Sequence, residues 1–374
     1  MSHPKLPLSA FAACALASLT SLSLTAEMTP TPDFHLGAKP GNMIWGYFSA
    51  DTPPVLRIRS GQIVSVDTTD LTGISADKPE QFFIDHGLSL DLPGVKDLIA
   101  IKKEVKPTGI RGHMMTGPIY ITGAEPGDTL EVRVLDVKSR VPYAMNQMRP
   151  GGGGVPDLVP RPYAQFIPLD LENNVAVLSD KIKVPLKPFQ GVMAVAPVPE
   201  RGKLPSGPPY ADIGGNMDNK DLGKGATIYF PVQVPGALFH VGDPHAVQGD
   251  GEVDGGAAES SNTVTMQFIV RKDLHIKGVR AENATHYMII GMDVELSKAM
   301  HNAIANSVEF LQETQGLDFF HALVLCSVGV DFRVSEVVDV SKGIHAMIPK
   351  SYFRDSKAVS SYWYHPDTGF ALAR

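Results

Sequence analysis

Cysteine is nearly absent: the chain of 374 residues has two, Cys14 and Cys326. Cys14 falls inside an apolar leader, so the remainder of the chain can form no internal disulfide and must be held by packing. Cys326 lies in the apolar run Ala322–Val330, where a thiol is buried and inert rather than nucleophilic. Charge is scarce as well. Asp, Glu, Lys and Arg make up 20 %, with 33 basic against 40 acidic side chains and a net charge of −7. No block of Lys and Arg occurs, which argues against a nucleic-acid surface. After the leader, no run reaches the ~20 apolar residues of a membrane-spanning helix. Several catalytic signatures are missing too. Gly-x-Ser-x-Gly fails around Ser327, where Leu325 stands at the first position, and His-Glu-x-x-His does not occur. Gly223-Lys224-Gly225 lacks the Ser or Thr of a phosphate loop, and Gly249-x-Gly251-x-x-Asp254 lacks the last glycine of a dinucleotide fingerprint. Metal-assisted or carboxylate-assisted chemistry remains.

What is present is apolar material at 43 %, enough for a full core, and unusually many turn formers, 35 Gly and 30 Pro. Such punctuation predicts many short strands. Residues 1–26 read as a secretory signal peptide, with Lys5 before an uncharged Ala/Leu/Ser-rich stretch and a small-residue exit at Ala26. The mature protein is then exported, periplasmic or secreted, and free of the membrane. Residues 27–43 form an N-terminal arm. Period-two alternation at 55–66, about a Ser60-Gly61 turn, and at 129–135 predicts half-buried strands in a β-sandwich or jelly-roll module over 44–170. Within it, the Gly- and Pro-rich stretch 145–165 is a long loop, either functional or a plain connector. A second, smaller, barrel-like β module spans 171–280 and carries the polar motifs. Over 281–374 the pattern turns α+β: an apolar stripe from Leu296 to Leu311 predicts a helix over 295–315, with a second helix from Asp318 and a strand over 328–334.

Two Gly-bracketed segments, 214–225 and 242–253, are dense in polar residues. Asp243 and His245 are two apart, as are Asp250 and Glu252, so extended backbone would project each pair to one face of a sheet. Three carboxylates and an imidazole gathered there repel one another unless a divalent cation neutralises them, and Asp/His/Glu sets suit Zn²⁺ or another first-row metal. The alternative is a solvated turn, since Asp and Gly are ordinary turn formers. Gly249 and Gly251, with Gly255 and Gly256, would let backbone approach a ligand, which makes Gly249, Asp250 and Gly251 the expected substrate-binding turn. Taken alone, His113 is a packed or surface histidine and Asp218 a cap. His240 and His345 read as core or rim residues, and Asp67 and Asp70 as turn residues.

The segments Gly-Gly-Asn-Met-Asp-Asn-Lys-Asp-Leu (214–222), Phe-Pro-Val-Gln-Val-Pro-Gly-Ala-Leu-Phe (230–239) and Val-Gly-Asp-Pro-His-Ala-Val-Gln-Gly-Asp-Gly-Glu-Val (241–253) resemble the acetamidase/formamidase family. Flanking matches at 117–128, 188–197 and 342–350 extend the resemblance over roughly residues 44 to 353. It implies a mainly β fold and cleavage of the C–N bond of small linear amides to a carboxylate and ammonia, with a divalent metal, most often zinc, near these motifs. His113, Asp218, Asp243, His245 and Glu252 match motif positions. The resemblance leaves open which of them are ligands and which is the base. The working assignment is metal on His113, Asp218, Asp243 and His245, with Glu252 as general base and Asn216 steadying the oxyanion. A homo-oligomer acting on a small amide, with no nucleic-acid partner, is the expectation. The competing reading is an exported protein that binds a small ligand without turnover. The sequence departs from the family at its start, where Ile44 precedes Trp45-Gly46-Tyr47-Phe48 in place of a histidine, and in its leader.

Overall fold

Both stretches of period-two alternation form strands, Leu56–Arg59 with Ile63–Thr69, and Thr129–Ser139. The computed structural model describes residues 30–353; the expected signal peptide, the first residues of the arm and residues 354–374 lie outside it. Across the Ser60-Gly61 turn the chain changes sheets instead of making a hairpin. Leu56–Arg59 runs parallel to Met114–Thr122, whereas Ile63–Thr69 pairs antiparallel with Ser261–Arg271. Nor is Ile63–Thr69 half-buried: all seven residues are buried. Its polar members are hydrogen-bonded there, Ser65 Oγ to His35 Nδ1 at 2.8 Å and Asp67 Oδ1 accepting from Thr263 Oγ1 at 2.6 Å. The arm contributes to the same sheet, because Phe34–Leu36 pairs parallel with Val64–Val66 at its edge.

Two large sheets dominate. A nine-stranded sheet runs, in spatial order, through Phe34–Leu36, Ile63–Thr69, Ser261–Arg271, Thr129–Ser139, Thr227–Pro231, Arg280–Glu282, His286–Asp293, Lys342–Pro349 and Asp331–Glu336. A seven-stranded sheet is centred on Phe189–Ala194, Phe239–His245 and Met114–Thr122. Their inner faces share one core: Val64, Val132, Ile228 and Phe268 from the first meet Met115, Val192, Phe239 and Val241 from the second. This is sheet-on-sheet packing, a sandwich. Both sheets are open, so the barrel expected over 171–280 does not close. Its strands enter both large sheets and a four-stranded sheet that also holds Tyr143–Met148 and Tyr163–Asp170. Of the stretch expected to be a loop, 149–162 is irregular and the remainder pairs in those two strands.

Two helices carry no clear signal in the sequence, α1 (Pro79–Asp85) and α2 (Pro93–Glu104). Each opens with proline in its first turn, a favoured position, and buries Phe83 or Val95, Leu98 and Ile101 against Tyr143 and Met114. The C-terminal part is α+β as expected. Helix α3 (Leu296–Gln315) ends at Gly316, which is left-handed at φ 66°. Helix α4 (Phe319–Gly329) is capped by Asp318, whose carboxylate accepts from the His321 N–H. Because α4 continues through Gly329, the strand expected from 328 starts at Asp331. Cys326 is buried there, while Phe320, Val324 and Val328 on the opposite side of the helix are exposed.

Candidate active site

The site forms where the strand Phe239–His245 runs beside Phe189–Ala194. The register places Gly242 opposite Val192 and Pro244 opposite Gln190, so Asp243 faces Gly191. Side chains opposed on an antiparallel pair share a face. Gly191 supplies none, and two carboxylates fill its place. A methyl group built there would lie 2.3 Å from Asp218 Oδ1 and 2.3 Å from Asp243 Oδ2. Asp218 arrives from the turn after Gly214–Asn216, its carbonyl held by Gln248 Nε2 at 2.7 Å.

His245, fully buried, is the hub. Its Nε2 lies 3.2 Å from Asp243 Oδ2 and 3.2 Å from Glu259 Oε2, and its Nδ1 lies 3.8 Å from Asp218 Oδ1. The ring stands edge-on to Phe189 with centroids 4.9 Å apart. Ligand atoms of Asp218, Asp243 and His245 fall within 4.8 Å of one another, as do those of His245, Glu252 and Glu259, and those of Asp70, Asp243 and Glu259. Both Asp218 oxygens, both His245 nitrogens and Glu259 Oε2 are buried without a hydrogen-bond partner. Uncompensated buried charge costs several kcal/mol per ion. Close approach without hydrogen-bond geometry is what donors turned toward a shared centre look like, and this set of carboxylate and imidazole donors fits a divalent cation.

The electrostatics point the same way. Burial, and then the charges of Glu252 and Asp243, raise the Asp218 carboxyl well above its ordinary value. Burial also lifts Glu252, with His245 opposing and Glu259 adding to the rise. Asp70 is pushed up to about 7 by burial and the Glu259 charge, and Asp339 to about 6 by burial. For Asp243, burial is outweighed by the His113 and His245 charges, which hold it well below the carboxylate range. Burial disfavours a charged His113, but the charge and hydrogen bond of Asp243 prevail and lift it to about 9. Too many acids share too few cations among the described residues.

Backbone conformation marks the same residues. Asp218 (φ 40°), Asp243 (54°) and Glu252 (46°) are all left-handed, half of the six non-glycine residues so placed in the described structure. Left-handed non-glycine residues persist where surrounding structure over-determines them, and they concentrate at functional sites.

The expected residues divide. Asp218, Asp243, His245 and Glu252 come together. Glu252 does so from a turn and not through strand alternation, with its N–H directed at the Gly249 carbonyl. His113 reaches the group only through Asp243, its Nδ1 3.0 Å from Asp243 Oδ1, and is in none of the clusters of ligand atoms. The Asn216 amide donates to Asp339 Oδ2. Asp250 turns outward, chelated by Arg333 with contacts of 2.8–2.9 Å and approached by Lys220. Gly249 is exposed with open space where a side chain would stand, and the Gly251 N–H is bound to the Ser335 carbonyl. The 249–251 turn leads into Glu252 and lines neither of the two cavities beside His113. His240 and His345 are core residues as expected. Asp70, expected as a turn residue, accepts from the Thr72 N–H and also joins the cluster. Glu259 and Asp339 are additions that spacing does not reveal. The one sign of Glu259 is an acid in a run of small residues, Gly255 to Ser261, where a solvent-facing acid has no apolar strand to decorate.

Two cavities meet at Gly112 and His113. One, about 210 Å³, is lined by Trp45, Asp70, His113 and Asp243. The other is an open cleft of about 1330 Å³ walled by the 149–162 loop, Arg111, Tyr163, Pro208, Asp254 and Val340. The loop is fixed to its neighbour: the Gly154 N–H donates to Val253 O at 2.8 Å, and a side chain at Gly153 would strike Asp254 O at 2.9 Å.

An open two-sheet sandwich with a cluster of buried acids and an imidazole defines a mainly β protein. The sequence pattern of the acetamidase/formamidase family matches residues 102–203 and 206–355, and the chain belongs to that family. It is 25 % identical over 319 residues to the formamidase of Methylophilus methylotrophus, spanning 64 % of this chain and 77 % of that protein. A Schizosaccharomyces pombe protein provisionally named a formamidase is 27 % identical over 217 residues, covering 44 % of this chain and 53 % of the relative, so the match spans about half its length. Among solved structures, the acetamidase of Bacillus halodurans superposes with a TM-score of 0.70 at 28 % identity, over 86 % of this chain and 99 % of that one.

Proposed function

We propose that the protein hydrolyses small linear amides to a carboxylate and ammonia at the Asp218–Asp243–His245 group, with a divalent cation, zinc foremost, held by those three side chains. The observation that carries this reading is the pair of carboxylates packed over Gly191 beside a buried imidazole with no hydrogen-bond partner of its own. A divalent ion supplies Lewis acidity and a water acidified toward a pKa of ~7. The chain's own residues do the rest. Glu252 and Glu259 lie against His245 and offer carboxylates for the proton of the attacking water, with Glu252 as the base. His113 lines both cavities with its Nδ1 3.0 Å from Asp243 Oδ1, a position from which it can give a proton to the departing nitrogen. General acid–base help of this kind is worth ~10²–10⁴ in rate. The inner cavity of about 210 Å³ suits an amide of formamide or acetamide size. The names of the relatives, formamidase and acetamidase, support the same substrate class.

The test is ammonia release from formamide and acetamide by the purified protein, with metal analysis of Asp243→Ala and His245→Ala. Loss of both metal and turnover in each variant is expected. Full metal content and full rate in both would remove the assignment, and binding of amides with no ammonia released would favour the capture reading.

A further inference from the structure

The inner cavity alone accommodates an acetamide-sized substrate, which leaves the adjoining cleft of about 1330 Å³ unexplained. The charges in that cleft are uneven. Its two carboxylates are met by neutral donors: Asp254 Oδ1 accepts from Asn146 Nδ2 and from the Gly256 N–H, both at 3.2 Å, and Asp339 accepts from Asn216. Its two guanidinium groups, Arg111 and Arg149, have no ion-pair or hydrogen-bond partner among the described residues. Elsewhere in the described fold Arg140 is engaged by Asp67 and Asp97, Arg201 by Asp212 and Arg333 by Asp221 and Asp250, whereas Arg59 and Arg161 are unpaired at the surface as these two are. Both side chains are exposed, on backbone that is held in place. Arg111 is two residues from His113 on backbone pressed so closely to Ser206 that a side chain at Gly112 would lie 2.3 Å from Ser206 Oγ. The His113 N–H donates to the same oxygen at 2.9 Å. Arg149 lies across Gly152, where a methyl group would come within 3.3 Å of its Cγ. The Gly152 N–H in turn is bonded to the Arg149 carbonyl.

Resting on the amide-hydrolysis reading, we propose that the preferred substrates are amides that also carry a carboxylate, held at its far end by Arg111 and Arg149 while the amide enters the inner cavity beside His113. Guanidinium groups recognise planar carboxylates through paired N–H donors. Tyr163, Pro208 and Val340 give the cleft an apolar wall against which a short hydrocarbon spacer lies. The two arginines are thus specificity-determining residues, and remote binding energy positions an amide otherwise too small to hold itself.

The experiment compares kcat/KM for ammonia release from malonamate, succinamate and glutaramate with neutral amides of matching shape, 4-oxopentanamide standing for succinamate. At least one acid is expected to exceed its neutral counterpart by about tenfold for each arginine engaged, the equivalent of one charged hydrogen bond. In the doubly substituted Arg111→Ala, Arg149→Ala protein that ratio should fall to near one through KM. Lysine at both positions should restore part of it, which a merely structural defect would not do. Acetamide turnover with no preference for any acid, or a preference untouched by the double substitution, overturns this proposal and leaves the amidase reading intact. Absence of ammonia from every amide overturns the amidase reading and this one with it.

Discussion

Gly191→Ala is the sharpest perturbation of the site because it adds one methyl group at a defined point and removes no functional group. Gly191 is in the middle of the strand Phe189–Ala194, and its φ lies outside the left-handed region, so alanine meets no backbone objection. On secondary-structure grounds alone the change is favourable by ~0.5 kcal/mol. The obstacle is local. The new carbon would lie 2.3 Å from one oxygen each of Asp218 and Asp243. Nonbonded carbon and oxygen settle at roughly 3.3 Å, so each carboxylate must retreat by about 1 Å. Both carboxylates belong to the proposed cation set, and both are fixed on left-handed backbone, so the movement falls on side-chain torsions and carries the donors off their common centre. A misplacement of about 1 Å typically costs on the order of 10²-fold in rate. The variant should fold, with a circular dichroism spectrum close to that of the parent. It should lose most of its metal by elemental analysis and ~10²-fold or more of its kcat for acetamide. Gly41→Ala, where a side chain meets nothing within 4 Å, is the control. Retention of metal and of turnover within twofold in the Gly191 variant would refute the reasoning outright.

Glu252→Gln keeps shape and removes the basic oxygen. Metal content should stay near that of the parent while kcat for acetamide falls ~10²–10⁴-fold, and an unchanged kcat would take Glu252 out of the chemistry. His240 gives a pH signature of stability separate from catalysis. It is fully buried, edge-on to Phe48, and burial lowers its pKa from 6.5 to about 4. The unfolded chain therefore binds this proton and the folded one does not between those values. Stability from this group is complete above pH 6.5 and is lost as pH falls toward 4, by about 3 kcal/mol. Denaturant titrations of His240→Leu across that window should show a shallower decline than the parent; parallel curves would mean that His240 does not drive the acid loss.

The fold was legible where periodicity was strong. The stripe from Leu296 to Leu311 marks α3 almost to the residue, and alternation at 129–135 marks an interior strand of the larger sheet. Which sheet each strand joined was not legible, because pairing partners such as Ile63–Thr69 and Ser261–Arg271 are far apart in sequence and local pattern carries no information about them. Burial on both faces also disguised Ile63–Thr69, whose polar residues face hydrogen-bond partners instead of water.

The site divides along the same line. Asp243 and His245, two apart on one strand, are legible from spacing because the strand Phe239–His245 carries both, even though Asp243 is itself left-handed within it. Asp250 and Glu252 have the same spacing and were given the same geometry. There the chain is turning, Glu252 is left-handed at φ 46°, and Asp250 swings out to Arg333. Glu259 sits in an isolated bridge opposite His245, Asp70 directly follows the strand Ile63–Thr69 and Asp339 lies in a bend, so the three share no spacing with one another or with Asp243. The glycine that matters most is not one of those in the polar segments. Gly191 lies in the unremarkable strand motif 188–197, and its importance exists only because Asp243 faces it across the sheet and Asp218 reaches over it from another turn. A residue whose contribution is the space it leaves has no chemical signature of its own. It becomes visible only when the register of its neighbours is known.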